Sequence, residues 1–176
     1  ATSNGISKFD GSNFINYSKN LGLPAKLVTA IHVDRKNSNV VWTGSEKSGL
    51  TRFDEDGFFN FATQDGLPSN SIRDITQSKN GDLIIACYNA GVVKYNGKSF
   101  KLFNKGLADK RVILVTNGPE GSIWAGTESA GIGILKNNEF EMVIDSDGLG
   151  HNEIFSLYND GKRMWAGTFG GGVSCF

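Results

Sequence analysis

The chain has 176 residues, 39% of them apolar and 11% aromatic, and its 18 basic and 18 acidic residues cancel to a formal charge of zero. That length suits one domain with a true core, while the charge balance argues against nucleic acid, whose binders carry a basic surplus that releases counterions from phosphate. No apolar run approaches the ~18–20 residues needed to span a bilayer as a helix, and residues 1–5 (ATSNG) lack the charged-then-apolar order of a signal peptide.

In chain order, residues 1–9 align with residues 167–176, so a repeating unit is entered and left at the same point, with a third strand at each end. Asp10-Gly11 is a turn, and residues 14–17 (FINY) are a candidate fourth strand that would close a ring beside residues 173–176. A Gly-Leu step then recurs at Gly22-Leu23, Gly66-Leu67, Gly106-Leu107 and Gly148-Leu149, at intervals of 44, 40 and 42 residues. The second repeat shows the unit most plainly. Residues 71–77 (SIRDITQ) alternate as a half-buried strand does, and Asn80-Gly81 supplies the positive φ of a tight hairpin. Residues 82–87 (DLIIAC) form a second, almost wholly apolar strand, residues 92–95 a third and residues 99–103 a fourth, with turns at Asn89-Ala90-Gly91 and Asn96-Gly97 between them. Turn residues recur at residues 34–39, 55–57, 118–121, 137–138 and 159–161, and a second landmark keeps the same beat: Trp42-Thr43-Gly44, Ile85-Ala86-Cys87, Trp124-Ala125-Gly126 and Trp165-Ala166-Gly167.

A four-stranded antiparallel meander of ~40 residues, repeated in tandem, is the pattern of β-propeller blades, each of which buries its apolar face only against a copy of itself. The expectation is an all-β chain, one β-propeller domain over residues 1–176, built from four repeats. Four blades is the lower limit for a ring, so a fragment or half of a larger propeller is expected. The two cysteines, Cys87 in a landmark and Cys175 near the end, occupy unmatched positions and are expected to be free thiols.

The repeat wording itself points further. Gly66-Leu67-Pro68-Ser69-Asn70-Ser71-Ile72, the Asn80-Gly81-Asp82-Leu83 turn, the Trp-Ala-Gly-Thr runs at 124–127 and 165–168, and Gly91-Val92-Val93-Lys94-Tyr95 together resemble the two-component regulator propeller repeat across essentially the whole chain. Ala108 and Gly150 stand where that repeat has proline, and Ile85-Ala86-Cys87 where it has the Trp landmark. The resemblance implies an extracytoplasmic, periplasmic sensor domain upstream of a signalling module. It also implies recognition of a small ligand such as an oligosaccharide, and continuation into further blades or self-association.

The residues themselves show no catalytic constellation. The three tryptophans occupy equivalent strand positions and are read as packing between blades. His32 lies in a strand pattern with no carboxylate or cysteine at ligand spacing, and His151 opens the turn His151-Asn152-Glu153 into an inner strand. The Asp-rich stretches at 54–57 and 145–148 lack the later acidic ligand of a calcium loop. No enzyme, metal or cofactor is expected; the alternatives are a protein-assembly platform or, third, a propeller lyase or glycoside hydrolase. In a meander blade the loop between the second and third strands and the connection to the next blade share one face. That face is the candidate site, because variable loops on a rigid scaffold carry recognition. Its candidate ligand-binding residues are Lys26, Asn70, Lys110 and Asn152 at the entries to the inner strands, and Glu46, Tyr88, Glu128 and Phe169 in the loops. Arg73 and Phe155, on inner strands, complete the set.

Overall fold

The computed structural model describes residues 1–176 and contains only strands, turns and four single-turn 3-10 segments. A two-stranded sheet comes first, β1 (Ile6–Phe9) with β2 (Phe14–Tyr17). Three complete meanders follow: β3 (Val28–Val33), β4 (Val41–Ser45), β5 (Leu50–Asp54) and β6 (Gly57–Phe61); β7 (Ile72–Gln77), β8 (Leu83–Cys87), β9 (Gly91–Tyr95) and β10 (Phe100–Phe103); β11 (Val112–Asn117), β12 (Ile123–Thr127), β13 (Ile132–Lys136) and β14 (Glu139–Val143). A three-stranded sheet closes the chain, β15 (Ile154–Asn159), β16 (Met164–Thr168) and β17 (Gly172–Cys175). The first strands of successive sheets, β3, β7, β11 and β15, stand side by side as the inner wall of a curved array. The hairpin turns follow the turn chemistry of the sequence: Asn137 and Asn138 both sit at positive φ (51° and 66°), as a two-residue hairpin with right-handed twist requires.

The core lies between blades rather than inside them. One cluster joins Trp42 and Leu50 of the first complete blade to Ile72, Ile75, Leu83, Ile85 and Val93 of the second. Another joins Ile84, Ala86 and Val92 to Val112, Val115 and Ala125, and a third joins Trp124 and Ile132 to Ile154, Met164 and Ala166. Ile6 of β1 packs with Leu23 and Val28 in the same way. Each fully buried Ile or Leu contributes about 1.5–3 kcal/mol relative to exposure, and nearly all of that depends on the neighbouring sheet. Trp42 and Trp124 are buried at these interfaces. Trp165 lies in the last sheet, has no following blade against it and is half-buried; its indole N–H donates to Asp160 (2.9 Å).

The structure corrects one landmark. Trp42 pairs with His32, Trp124 with Thr116 and Trp165 with Tyr158, each opposite the fifth residue of an inner strand; in the second blade that partner, Thr76, faces Ile84. Ile84, not Ile85, therefore takes the Trp position, Ala86 takes the Gly position, and Cys87 takes the place of Ser45, Thr127 and Thr168. The apolar run Leu83–Cys87 has no aromatic residue to mark its register. The shift has a packing consequence. A Cβ on Gly44 would lie 2.4 Å from Ile72 Cγ2 and one on Gly126 3.0 Å from Ile154 Cγ2. Ala86, which does carry a Cβ, shares its core with the smaller Val112 instead.

The ring does not close. β2 pairs with β1, and no backbone hydrogen bond joins it to β17, so residues 14–17 belong beside residues 6–9 rather than beside the C-terminal strand. Cys87 and Cys175 are both free; Cys87 is buried, which pushes its thiol pKa up to about 12, and Cys175 is exposed.

Candidate functional site

Every inner strand of the array carries a β-bulge at the same place. The pairing register slips between Val28 and Ala30, Ile72 and Asp74, Val112 and Leu114, and Ile154 and Ser156. The bulged residues are therefore Thr29, Arg73, Ile113 and Phe155. A bulge leaves one residue out of the ladder and re-aims its side chain. Here it does so at the end of each inner strand nearest the loops. Those loops are tied down by a repeated backbone bond: Tyr88 N–H donates to Ser71 O (2.8 Å), Glu128 N–H to Arg111 O (3.0 Å) and Phe169 N–H to Glu153 O (3.0 Å). Each places the first residue of a β-strand 2–3 loop beside the start of its own inner strand. The far end of the third blade's loop is Gly131, at φ +79°, where a Cβ would lie 2.2 Å from Val143 O, so only glycine closes this loop without strain.

On this face the side chains of three blades form one connected chain. The Arg73 guanidinium carbon lies 4.6 Å from the centre of the Tyr88 ring, and the Tyr88 hydroxyl donates to the Glu128 carboxylate (3.0 Å). Glu128 is also ion-paired with Arg111, whose Nε donates to Asp109 (3.0 Å) and whose terminal nitrogen donates to Ser129 Oγ (2.8 Å). At the other end Glu46 stands 3.9 Å from Arg73, beyond hydrogen-bonding distance. The electrostatics follow the contacts. The hydrogen bond to Glu128 raises the Tyr88 pKa, and the hydrogen bond to Asp109 raises that of Arg111. Burial pushes the Asp109 pKa up, but hydrogen bonds from the Arg111 side chain and backbone and from Ser129 outweigh it, so Asp109 ends below the usual carboxylate range.

The last blade presents rings instead of charges. Phe155 and Phe169 are 58% and 57% exposed, their centres are 5.8 Å apart, and His151 lies 6.1 Å from Phe169. The structure thus brings Glu46, Arg73, Tyr88 and Glu128 together as one group and Phe155 and Phe169 as another. Lys26 is exposed and lines a hollow of about 300 Å³ that it shares with Glu46 and Lys47. Lys110 is exposed and is not among the polar contacts of the chain. Asn70 and Asn152 serve the scaffold: their side-chain oxygens accept from Thr63 N–H and Asp145 N–H, and their carbonyls from the loop glycines Gly49 and Gly131. Arg111, Asp109 and Ser129 were not foreseen as part of the group. Arg111 follows the candidate Lys110 directly, and in extended chain adjacent side chains point to opposite sides. A hollow of about 630 Å³ between β1–β2 and the first complete blade is lined by Ile6, Val33 and Phe53 and by Lys8, Asp54 and Glu55. Polar and apolar residues share this lining, and none of the candidate ligand-binding residues lies in it.

No protein family matches the sequence, and no curated protein is similar to it. Solved structures are similar along its length. The extracellular domain assigned to the hybrid two component system BT3049 of B. thetaiotaomicron aligns over 100% of this chain and 26% of its own, with a TM-score of 0.87 and 22% identity. The corresponding domain of BT4673 from the same organism aligns over 85% of this chain and 23% of its own, with a TM-score of 0.71 and 18% identity. A streptogramin B lyase aligns over 99% of this chain and 62% of its own, with a TM-score of 0.69 and 17% identity. The chain spans about a quarter of the length of the two extracellular domains. Likeness at these identities is a likeness of fold, and with the sheet order and the interlocked cores it makes the chain an arc of β-propeller blades.

Proposed function

We propose that this chain is part of an extracytoplasmic sensor propeller of the two-component regulator propeller family, recognising a small ligand such as an oligosaccharide on its loop-bearing face. The observation that carries the reading is the row of bulged inner-strand residues, which aims chemically different side chains at one mouth from an otherwise repetitive wall. Exposed Phe155 and Phe169 offer apolar faces on which a sugar ring can stack, and the Arg73–Tyr88–Glu128–Arg111 chain offers fixed donors and acceptors beside them. The fold likeness to extracellular domains of two-component systems and the repeat wording both favour a signalling role. Recognition is non-covalent in this reading: Glu128 and Asp109 are engaged by Arg111 and so are poorly placed to act as a free acid–base pair.

Calorimetric titration with a panel of oligosaccharides tests the reading. Saturable binding to at least one, weakened tenfold or more by Phe155→Ala with Phe169→Ala, is expected. No binding to any oligosaccharide overturns it. The unpaired outer edge of β17 and the free edge of β1 favour a second reading, in which the arc is one portion of a larger ring assembled with further blades; the two readings are compatible.

A further inference from the structure

Resting on the small-ligand reading above, we infer that the ligand carries an oxyanion, a carboxylate or a sulfate ester on a sugar unit, and that Arg73 receives it. Two arginines stand at the mouth and they are not equivalent. Arg111 is spent on the protein: its nitrogens donate to Asp109 and Ser129 and pair with Glu128. Arg73 donates no hydrogen bond from its guanidinium, and its Nε is buried with no acceptor. A buried unpaired donor on a cation costs more than one on a neutral group. Nε itself is closed to solvent, so the terminal nitrogens of this one-third-exposed side chain, which also donate no hydrogen bond, are what an incoming ligand can reach.

The geometry around Arg73 fixes its direction. It is the bulged residue of β7, re-aimed towards the loops, and its guanidinium is held against the Tyr88 ring. The bond from its hydroxyl to Glu128 fixes the position of the ring's long axis beside Arg73. A guanidinium anchored in this way presents its donor edge as a planar fork, which matches two oxygens of a carboxylate or sulfate better than one hydroxyl. Glu46, 3.9 Å away and half exposed, is the protein's own competing carboxylate. It is close enough to attract Arg73 and too far to satisfy it. The incoming oxyanion must displace it or endure its charge.

Glu46 therefore makes the idea testable in two opposite directions. The probes are a uronic-acid oligosaccharide, its methyl ester, a sulfated oligosaccharide and a neutral oligosaccharide of the same length, titrated into the full chain at low and high salt. The uronate or the sulfated probe is expected to bind at least tenfold more tightly than the ester and the neutral probe, and less tightly at high salt. Arg73→Gln should bring the charged probe down to the neutral level, Arg73→Lys should retain part of the preference, and Glu46→Gln should tighten the charged probe severalfold while leaving the neutral one unchanged. Thermal melts of the variants confirm that each is folded. Equal binding of charged and neutral probes, or charged binding that neither Arg73→Gln nor Glu46→Gln alters, overturns the oxyanion assignment and leaves the small-ligand reading intact. Failure of all four probes overturns the oxyanion assignment, and the small-ligand reading falls with it only when the whole oligosaccharide panel fails as well.

Discussion

The two ends of the inner strands use the same backbone for opposite purposes. At the loop end the bulged residues Thr29, Arg73, Ile113 and Phe155 share no chemistry, and Phe155 is more than half exposed. At the other end the last residues of β7, β11 and β15 are all amides, Gln77, Asn117 and Asn159, and they hold the blades to one another. Asn159 Nδ2 donates to Asn117 O (2.9 Å) and Asn117 Nδ2 to Gln77 O (2.9 Å). Gln77 Nε2 donates to Asp34 (2.8 Å) and Gly81 O (2.8 Å), and its oxygen accepts Arg35 N–H (2.7 Å). Asp34, raised by burial but lowered more by hydrogen bonds that include one from Gln77, stays ionised to complete the series. One end is a fastening that crosses every complete blade; the other is chiefly a display, crossed between blades by Thr29 Oγ1 donating to Ile72 O and by Val115 N–H donating to Asp74. A repeat protein can vary the display freely because the fastening does not depend on it.

Breaking the fastening should produce the largest loss. Gln77 is 1% exposed, and Gln77→Ala leaves Arg35 N–H without its acceptor and strips Asp34 of one donor, its bonds from Lys36 N–H and Asn37 N–H remaining; it should cost about 2–4 kcal/mol in chemical denaturation while leaving any ligand affinity of the folded fraction unchanged. A loss below ~1 kcal/mol would show that the amide series is ornamental. Between the two ends lies the packing swap at the second and third blades. Ala86→Gly and Val112→Ile should each cost about 1–2 kcal/mol alone, by cavity and by overpacking. Together they rebuild the Gly–Ile pairing of the other interfaces, so the double variant should recover at least ~1 kcal/mol relative to the sum. Strict additivity would mean that the two positions do not share a constraint.

Why that swap was hidden is a lesson about repeats. The Gly-Leu steps and Asn-Gly turns made the meander and its period legible, and the strands of the second repeat fall within a residue or two of where alternation put them. The register inside Leu83–Cys87 was not legible, because five apolar residues in a row carry no phase and the Trp that marks it elsewhere is Ile84 here. The bulges were invisible too. They add no characteristic residue type, so Arg73 and Phe155 could be chosen as inner-strand candidates without any reason to see Thr29 and Ile113 as their equivalents. Gln77 and Asn159 read only as a strand end and a turn, since what they bond to between blades (Asp34 and Arg35, and Asn117) lies in the preceding blade, far off in sequence. Ring closure by residues 14–17 was offered by sequence alignment, but alignment cannot choose which copy of a third strand a fourth strand joins.

A smaller effect separates the ends by pH. Asp74, on β7 directly after the bulge, accepts Val115 N–H of the next inner strand (2.9 Å), and burial raises its pKa. A carboxyl raised on folding adds stability that is fully present below its unfolded value of 3.8 and fades as pH rises through the folded value. The stability difference between the wild type and Asp74→Asn should therefore shrink as pH increases from 4 towards neutrality. A difference that grows with pH would mean the carboxylate is stabilised rather than strained. The smallest effects belong to the display. Phe155→Ala should change stability by less than ~0.5 kcal/mol. In the native protein Cys175 should be alkylated by iodoacetamide while buried Cys87 is spared, seen as a single mass increment.

The most direct test of a display end distinct from a fastening end is backbone amide shift mapping by NMR during titration with the tightest-binding oligosaccharide of the panel. The account predicts perturbations concentrated at Arg73, Tyr88, Ile113, Glu128, Phe155 and Phe169, with Gln77, Asn117 and Asn159 unmoved. Perturbations centred on those three amides, with the bulged residues silent, would contradict it.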